Sequence, residues 1–376
     1  MSLNWQPWAA VHPGIIRPAP GSPVTAVFYP SFPGGIALFV ANSDGEVYAT
    51  AGIPQEKTWK EWKTVAQGAT TPGAPVTAVP WGEEFALFVA DRGGEVFATG
   101  GAPPTQRAPE SWGPWATVRQ GSTTPGARVT AVPWGEEFAL FVADRGGGVY
   151  TTGGDPQGGF GPWATVSQGS TTPGAPVTAV LDPNTGVPIT LFLTDPNGGI
   201  YTSSGNPQGG FGSWSYVNPA SGPDFRAAPG SPVTAHATGP GLLTAFATRT
   251  DGFVSFTSRI GDSWAGWAQI PGITLLPRTP ITEAAPSALL RTLFAADIDG
   301  RVMTSAGASG NWEQILDGTT APGSLVTAYY EGGFTISVFV TGTDGQVQFT
   351  RATNLVLRPG RGGGRPPRGQ PPAPLA

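Results

Sequence analysis

The chain contains no cysteine, so it offers no disulfide framework, no thiolate metal site and no cysteine nucleophile. Histidine is almost as scarce. His12 and His236 are the only two, which excludes a three-histidine zinc centre. There is no Gly-x-Ser-x-Gly elbow and no phosphate-binding loop. No cofactor and no metal are therefore expected. No run approaches the roughly 18 apolar residues of a membrane-spanning helix. The start, Met1-Ser2-Leu3-Asn4-Trp5, lacks the basic residues and apolar stretch of a signal peptide. Localisation stays open, a cytoplasmic or a non-classically secreted protein being compatible with that start. Basic residues are also in deficit. The net charge is −5, and four arginines with no acid fall from Arg358 onward, so the remainder is more acidic still. An acidic body is a poor match for phosphate backbones, and nucleic acid is not expected as the main partner.

What is abundant pulls in two directions. With 56 Gly and 41 Pro, about a quarter of the chain is of the two residue types that mark low complexity. Yet charged residues are only 12% and aromatics reach 10%, with 13 Trp, the opposite of a disordered composition. Such a chain can bury a core. Its Gly and Pro must then punctuate many short elements.

Internal repeats resolve the conflict. The segment from Ala74 to Phe97, Ala-Pro-Val-Thr-Ala-Val-Pro-Trp-Gly-Glu-Glu-Phe-Ala-Leu-Phe-Val-Ala-Asp-Arg-Gly-Gly-Glu-Val-Phe, returns almost unchanged from Ala127 to Tyr150. The threonine of the Val-Thr-Ala element recurs as Thr25, Thr77, Thr130, Thr178, Thr234, Thr282 and Thr327. In copy two, short strands are predicted over Val76–Val79, Phe85–Ala90 and Glu95–Thr99. A fourth follows in the signature Trp112-Gly-Pro-Trp115-Ala-Thr-Val118. Asp91-Arg-Gly-Gly94 and its counterparts suit hairpin turns, and Pro-Gly between copies suits a type II turn. Asp297-Ile-Asp299 comes nearest to a calcium loop but lacks the downstream acid, so it too reads as a turn. A repeated four-stranded antiparallel unit is the mark of a propeller blade. The fold class expected is all-β, a seven-bladed β-propeller over residues 1–354.

The two ends agree with that reading. Copy seven supplies three strands and no following tryptophan element. An orphan one, Trp5-Gln-Pro-Trp8-Ala-Ala-Val11, stands ahead of copy one. The N-terminal strand, residues 3–12, is expected to complete the last blade and close the ring, which removes an aggregation-prone edge. Residues 355–376, rich in Pro, Gly and Arg, cannot bury a core and are expected to be disordered.

Comparing copies separates scaffold from spare. The second tryptophan of the signature occurs seven times, as Trp8, Trp62, Trp115, Trp163, Trp214, Trp267 and Trp312, and is expected to pack blades together. The first varies: Trp5, Trp59, Trp112, Phe160, Phe211, Trp264 and Ser309. Trp59 and Trp112 could pack or could stack on a sugar ring. Only two copies carry Trp81 and Trp134, each followed by a carboxylate pair, Glu83 with Glu84 and Glu136 with Glu137. A flat aromatic beside hydroxyl acceptors suits a saccharide. Arg92 and Arg145 are likewise absent from most copies and are candidate ligand contacts. For catalysis only carboxylates remain, these four with Asp182, Asp224 and Glu331, and no catalytic set is assigned.

The run of Val-Thr-Ala-Val, Leu-Phe-Val-Ala-Asp-Arg-Gly-Gly-Glu-Val-Phe and Trp-x-x-Trp-x-x-Val resembles the blades of the fucose-specific lectin superfamily. The bacterial seven-bladed lectins are closer than the six-bladed fungal ones, and tectonin-type propellers share the tryptophan rhythm. The resemblance implies shallow sugar pockets between adjacent blades, lined by Trp or Tyr, Arg and Glu. It also implies glycans or glycoconjugates as partners, fucosylated ones among them. Two functions stay open: a multivalent carbohydrate-binding protein without catalysis, and a propeller enzyme. The enzyme would be a glycan hydrolase or lyase with paired carboxylates, or a cyclase with an apolar central pocket. Near-identical copies favour the first, because repeated surfaces suit repeated sites.

Overall fold

The computed structural model describes the chain except residues 1, 13–15, 106–107, 182–188, 218–224, 240, 262, 285–290, 307–309, 334 and 357–376. Seven antiparallel sheets follow one another along the chain, one for each copy. The second is typical. Thr77–Trp81 is innermost, Glu84–Ala90 pairs with it, and Glu95–Ala102 pairs next. The outermost position is shared by two pieces, Ser111–Trp112 and Ala116–Ser122. The second strand of each blade is buried on both faces, as in Phe85 to Ala90, because a neighbouring blade covers each side.

The last sheet joins the two ends of the chain. Thr327–Gly332, Thr335–Thr341 and Val347–Val356 are completed by Ser2–Trp5 and Ala9–Ala10, with Trp5 opposite Ala352 and Ala9 opposite Phe349. The ring is thus closed by the N-terminal strand. The third strand of this blade runs on to Val356, and the tail expected to be disordered lies, from residue 357, outside the described residues.

The fourth strand differs from the simple expectation, being broken, among the described residues, in six of the seven blades. At the break a hydroxyl from the third strand takes over from the backbone ladder. Thr99 Oγ1 donates to Gly113 O at 2.7 Å, Thr152 to Gly161 O at 2.8 Å and Thr257 to Ala265 O at 2.7 Å. Pro7, Pro114 and Pro162 stand at this point and have no N–H to donate. The very next residue is the signature tryptophan, which turns inward.

Three devices bind blade to blade. The first aromatic of the signature meets, edge to face, the second-strand phenylalanine of the preceding blade. Trp112 lies 6.0 Å from Phe39, Phe160 5.9 Å from Phe88, Phe211 5.6 Å from Phe141, Trp264 5.8 Å from Phe192 and Trp5 6.1 Å from Phe294. The second aromatic donates its indole N–H to the carbonyl of the buried Val or Ile that ends the preceding signature. Trp8 reaches Ile315 O at 3.0 Å, Trp163 reaches Val118 O at 3.1 Å and Trp214 reaches Val166 O at 3.1 Å. Trp62, Trp115 and Trp267 do the same, and only Trp312 has no acceptor. Gly121, Gly169 and Gly318 lie beneath Trp163, Trp214 and Trp8, where a Cβ would strike the indole.

The third device encircles the axis. Thr25 Oγ1 donates to Val76 O, Thr77 to Val129 O, Thr130 to Val177 O and Thr178 to Val233 O. Thr234 donates to Ile281 O, Thr282 to Val326 O, and Thr327 returns to Val24 O. The threonine by which the copies are counted is therefore the hydroxyl that ties each innermost strand to the next. A bond of this kind contributes about 0.5–1.5 kcal/mol net, and there is one at every junction.

Candidate functional site

Strand direction places the loops. Connections from first to second strand and from third to fourth emerge on one face of the ring. The Asp-Gly turns and inter-blade linkers emerge on the other. The ten ligand candidates divide between these positions and the blade interiors.

On the loop face, Trp81 and Trp134 occupy equivalent places, four residues after the ring threonines Thr77 and Thr130. Tyr29 holds that place in blade one. The Trp81 ring, half-buried, lies against Phe138 of the next blade at 6.3 Å, and it covers Gly100 of its own third strand. Trp134 donates through Nε1 to Gln208 Oε1 at 2.7 Å, bridging to the next blade. Glu83, Glu136 and Glu137 are exposed, and Glu84 is half-buried. The Glu83 carbonyl accepts from Ser31 Oγ at 3.2 Å, so this loop also touches blade one. Tyr29 is buried with its hydroxyl on Pro103 O at 3.3 Å. Burial, with the nearby charges of Glu84 and Glu83, raises its pKa above the ordinary phenol value.

Trp59 and Trp112 sit within the junctions. Trp59 is wedged against Phe339 and Phe349 of blade seven at 5.8 and 5.3 Å, as Trp112 is against Phe39. Arg92 and Arg145 lie on the opposite face from Trp81 and Trp134. Arg92 Nε donates to Thr70 O at 3.3 Å and its Nη2 to Asp44 O. Arg145 repeats this one blade on, to Thr123 O at 3.2 Å and Gly93 O. Both span to the preceding blade's turn. Structure thus brings the two Trp-Glu-Glu loops to one surface and separates the two arginines from them.

The remaining carboxylates are dispersed. Glu331 belongs to blade seven, and Asp182 and Asp224 lie outside the described residues. Glu331 stands where copies two and three have Trp81 and Trp134. It is held by Arg351 Nη2 at 2.9 Å, and Arg351 occupies the place of Gly100 and Gly153. An ion pair in blade seven therefore fills the volume that tryptophan over glycine fills in blades two and three. The Asp-Gly turns use their acids internally: Asp297 Oδ1 accepts from the N–H groups of Asp299 and Arg301, and Oδ2 from Arg301 Nε at 2.7 Å. Among the described residues no group of three or more His, Asp or Glu is placed to hold a metal.

Blade six carries a singular feature. The residue after each ring threonine is Ala26, Ala78, Ala131, Ala179, Ala235 or Ala328, and in copy six it is Glu283. Its side chain is 4% exposed, neither oxygen has a hydrogen bond, and Arg291 Nε stands 3.5 Å away. Burial raises its pKa against the lowering influence of Arg291. The native state accordingly holds this proton more tightly than the unfolded chain. Stability falls as pH rises from the ordinary carboxylate range through the raised value. Glu283→Gln is expected to raise the melting temperature relative to wild type near pH 8 and to lose that advantage at about pH 4. An equal shift at both pH values in thermal melts would contradict the assignment.

One groove of about 420 Å³ opens at the rim between blades one and two. Lys60, Glu61 and Lys63 line it from the broken outer strand of blade one, and Pro104, Thr105, Ala108 and Pro109 from blade two. It exists because the third-to-fourth connection of blade two spans residues 103–110, whereas those of blades three and four span 156–158 and 207–209. Sequence reasoning singled out none of these groove residues. The available signal was that extra length, together with the crowding of lysines at 57–63.

No protein-family model and no curated protein sequence matches the chain. Solved structures do. The BP39L lectin from Burkholderia pseudomallei superposes with a TM-score of 0.74 at 16% identity, covering 89% of this chain and 96% of that one. AofleA from Arthrobotrys oligospora gives 0.53 at 14% identity, over 82% of this chain and 87% of its own. The six-bladed fungal lectin of Aleuria aurantia gives 0.51 at 15% identity, over 81% and 97%. The chain shares the propeller architecture of these proteins, with seven blades.

Proposed function

We propose that the protein binds carbohydrate without transforming it, through several shallow sites on the loop face of the ring. The observation that carries this reading is the repetition of one arrangement at successive junctions. An aromatic residue stands four residues past the ring threonine in blades one to three, as Tyr29, Trp81 and Trp134; Tyr29 is buried, and the two half-buried tryptophans are followed by exposed acids. Aromatic faces meet the C–H side of a pyranose, and carboxylates accept from its hydroxyls. Likeness to propeller lectins supports it, among them one whose structure describes a fucose recognition mode. Glycans and glycoconjugates, fucosylated ones included, are the proposed partners. Weak sites on a rigid ring would gain avidity on a dense glycan surface.

The test is a glycan array probed with wild type, Trp81→Ala, Trp134→Ala and the double variant. Each single variant should lose surface binding, and the double variant more than the two losses combined predict, because avidity multiplies. Failure of the wild type to bind any glycan at high protein concentration overturns the proposal.

A further inference from the structure

Six of the seven junctions keep all three of the repeated devices, and among the described residues the one between blades five and six keeps only the threonine. There Thr234 Oγ1 donates to Ile281 O. The indole clasp has gone. Trp312 Nε1 is buried without an acceptor, whereas in every other blade the matching indole holds the preceding signature. The edge-to-face contact has gone too. Copy six has Ser309 in place of the first aromatic, at a position outside the described residues. Phe246, the blade-five counterpart of Phe192 and Phe294, packs on Phe256 of its own blade at 6.2 Å.

The same junction carries charge where its counterparts carry hydrocarbon. Glu283, set against alanine in six copies, pairs across the sheet with Leu293, which packs beside Phe246 in this junction. Two residues before Leu293 comes Arg291. Its place is held in the other blades by Ile36, Phe85, Phe138, Ile189, Leu243 and Ile336, all buried. Blade five contributes the exposed His236, two residues past Thr234, where blades one to four have valine. Residues paired across a sheet, or two apart along a strand, share a face, so all three side chains turn to this junction. His236 is followed across its own sheet by Thr244 and Ser258, whose hydroxyls bond each other at 3.1 Å. Burial raises the Glu283 pKa while Arg291 lowers it, and burial and Arg291 together lower that of His236. Residues 285–290, between Glu283 and Arg291, include no ionisable side chain.

A carboxylate enclosed without hydrogen bonds gains water as an anion only when the blades part. We infer that the junction between blades five and six is a seam, opening locally as Glu283 ionises while junctions built on the full set of devices stay shut. The direction with pH depends on which group drives it. Glu283, whose charged form is disfavoured in the closed state, opens the seam as pH rises; His236 would open it as pH falls. The absence of cysteine makes the seam directly readable. The full chain is prepared with one thiol, as Ala295→Cys in this junction or Ala139→Cys between blades three and four, both alanines being wholly buried. Labelling by a neutral disulfide reagent is measured at about pH 5 and about pH 8, and divided by the rate of a model thiol at the same pH. The Ala295→Cys thiol should label faster than the Ala139→Cys thiol. Its relative rate should rise at the higher pH, about tenfold for each unit separating the closed- and open-state pKa of Glu283. Adding Glu283→Gln should remove that rise. Adding Glu283→Ala with Arg291→Ile, the pairing found in blades one and seven, should slow labelling toward that of Ala139→Cys. Equal relative rates at the two positions overturn the inference, as does a rise that survives Glu283→Gln. So does a rise on acidification, which would assign the opening to His236.

Discussion

A chain lacking residues 1–11 is expected to lose cooperative thermal unfolding and to elute as aggregate. The deletion takes away the outer strand of blade seven and with it Trp5, packed on Phe294 at 6.1 Å, and Trp8, whose indole reaches Ile315 O. It removes Val11, 2% exposed, and frees the Thr350 hydroxyl that now bonds Gln6 O at 2.6 Å. Removing a fully buried Trp costs about 3–5 kcal/mol, and each of these two half-buried tryptophans somewhat less. Losing two, with a strand's ladder, is on the order of the 5–15 kcal/mol that stabilises a whole domain. The strand Val347–Val356 would then be left as a long unpaired edge, a template for pairing with another chain. A peptide of residues 2–12 supplied in trans should restore the monomer in size-exclusion chromatography. A truncated chain that melts like the full one would refute ring closure by this strand.

The second large effect concerns the indole clasp. Trp163→Ala should cost about 3–5 kcal/mol in denaturant unfolding. It empties the space over Gly121 and leaves Val118 O without its donor. Trp163→Phe keeps most of the ring and loses the hydrogen bond, for about 1 kcal/mol. Trp312 provides the internal control, because its buried N–H has no acceptor. Trp312→Phe removes no bond and relieves an unsatisfied donor, so its cost should be smaller than that of Trp163→Phe. Equal losses at the two positions would show that packing alone carries the motif.

Much of the fold was legible because each copy repeats the residues that make its contacts. The ring threonines, the tryptophans at the end of Trp-x-x-Trp, and the orphan N-terminal signature are all scaffold. Their spacing gave the blade count and the closure. The break in the fourth strand was less visible. It depends on a third-strand hydroxyl reaching a carbonyl ten residues or so ahead, a pairing that a strand-by-strand reading does not test. The candidate site was legible only in part. Trp81 and Trp134 with their acids fall on one face, as a shared loop dictates. Arg92 and Arg145 were grouped with them because both sets occur in the same copies. Copy membership reports blade, and an arginine in an Asp-Gly turn emerges from the opposite end of that blade. The groove escaped notice for the complementary reason. It is made by what copies one and two do not share with the rest, the lysine-rich outer strand and the long connection over residues 103–110.

The threonine ring bears on how such a protein changes over time. Every junction joins the same hydroxyl to the carbonyl of the residue before the next copy's threonine, so the donor and acceptor are carried together in each unit. A duplicated unit inserted between two others would meet both neighbours with the contacts they already make. No new interface chemistry would have to arise, and only the width of the central channel would alter. The blade count is then set by the circumference at which the chain closes on its own beginning, and the near-identity of copies two and three has the form that a duplication of one unit leaves.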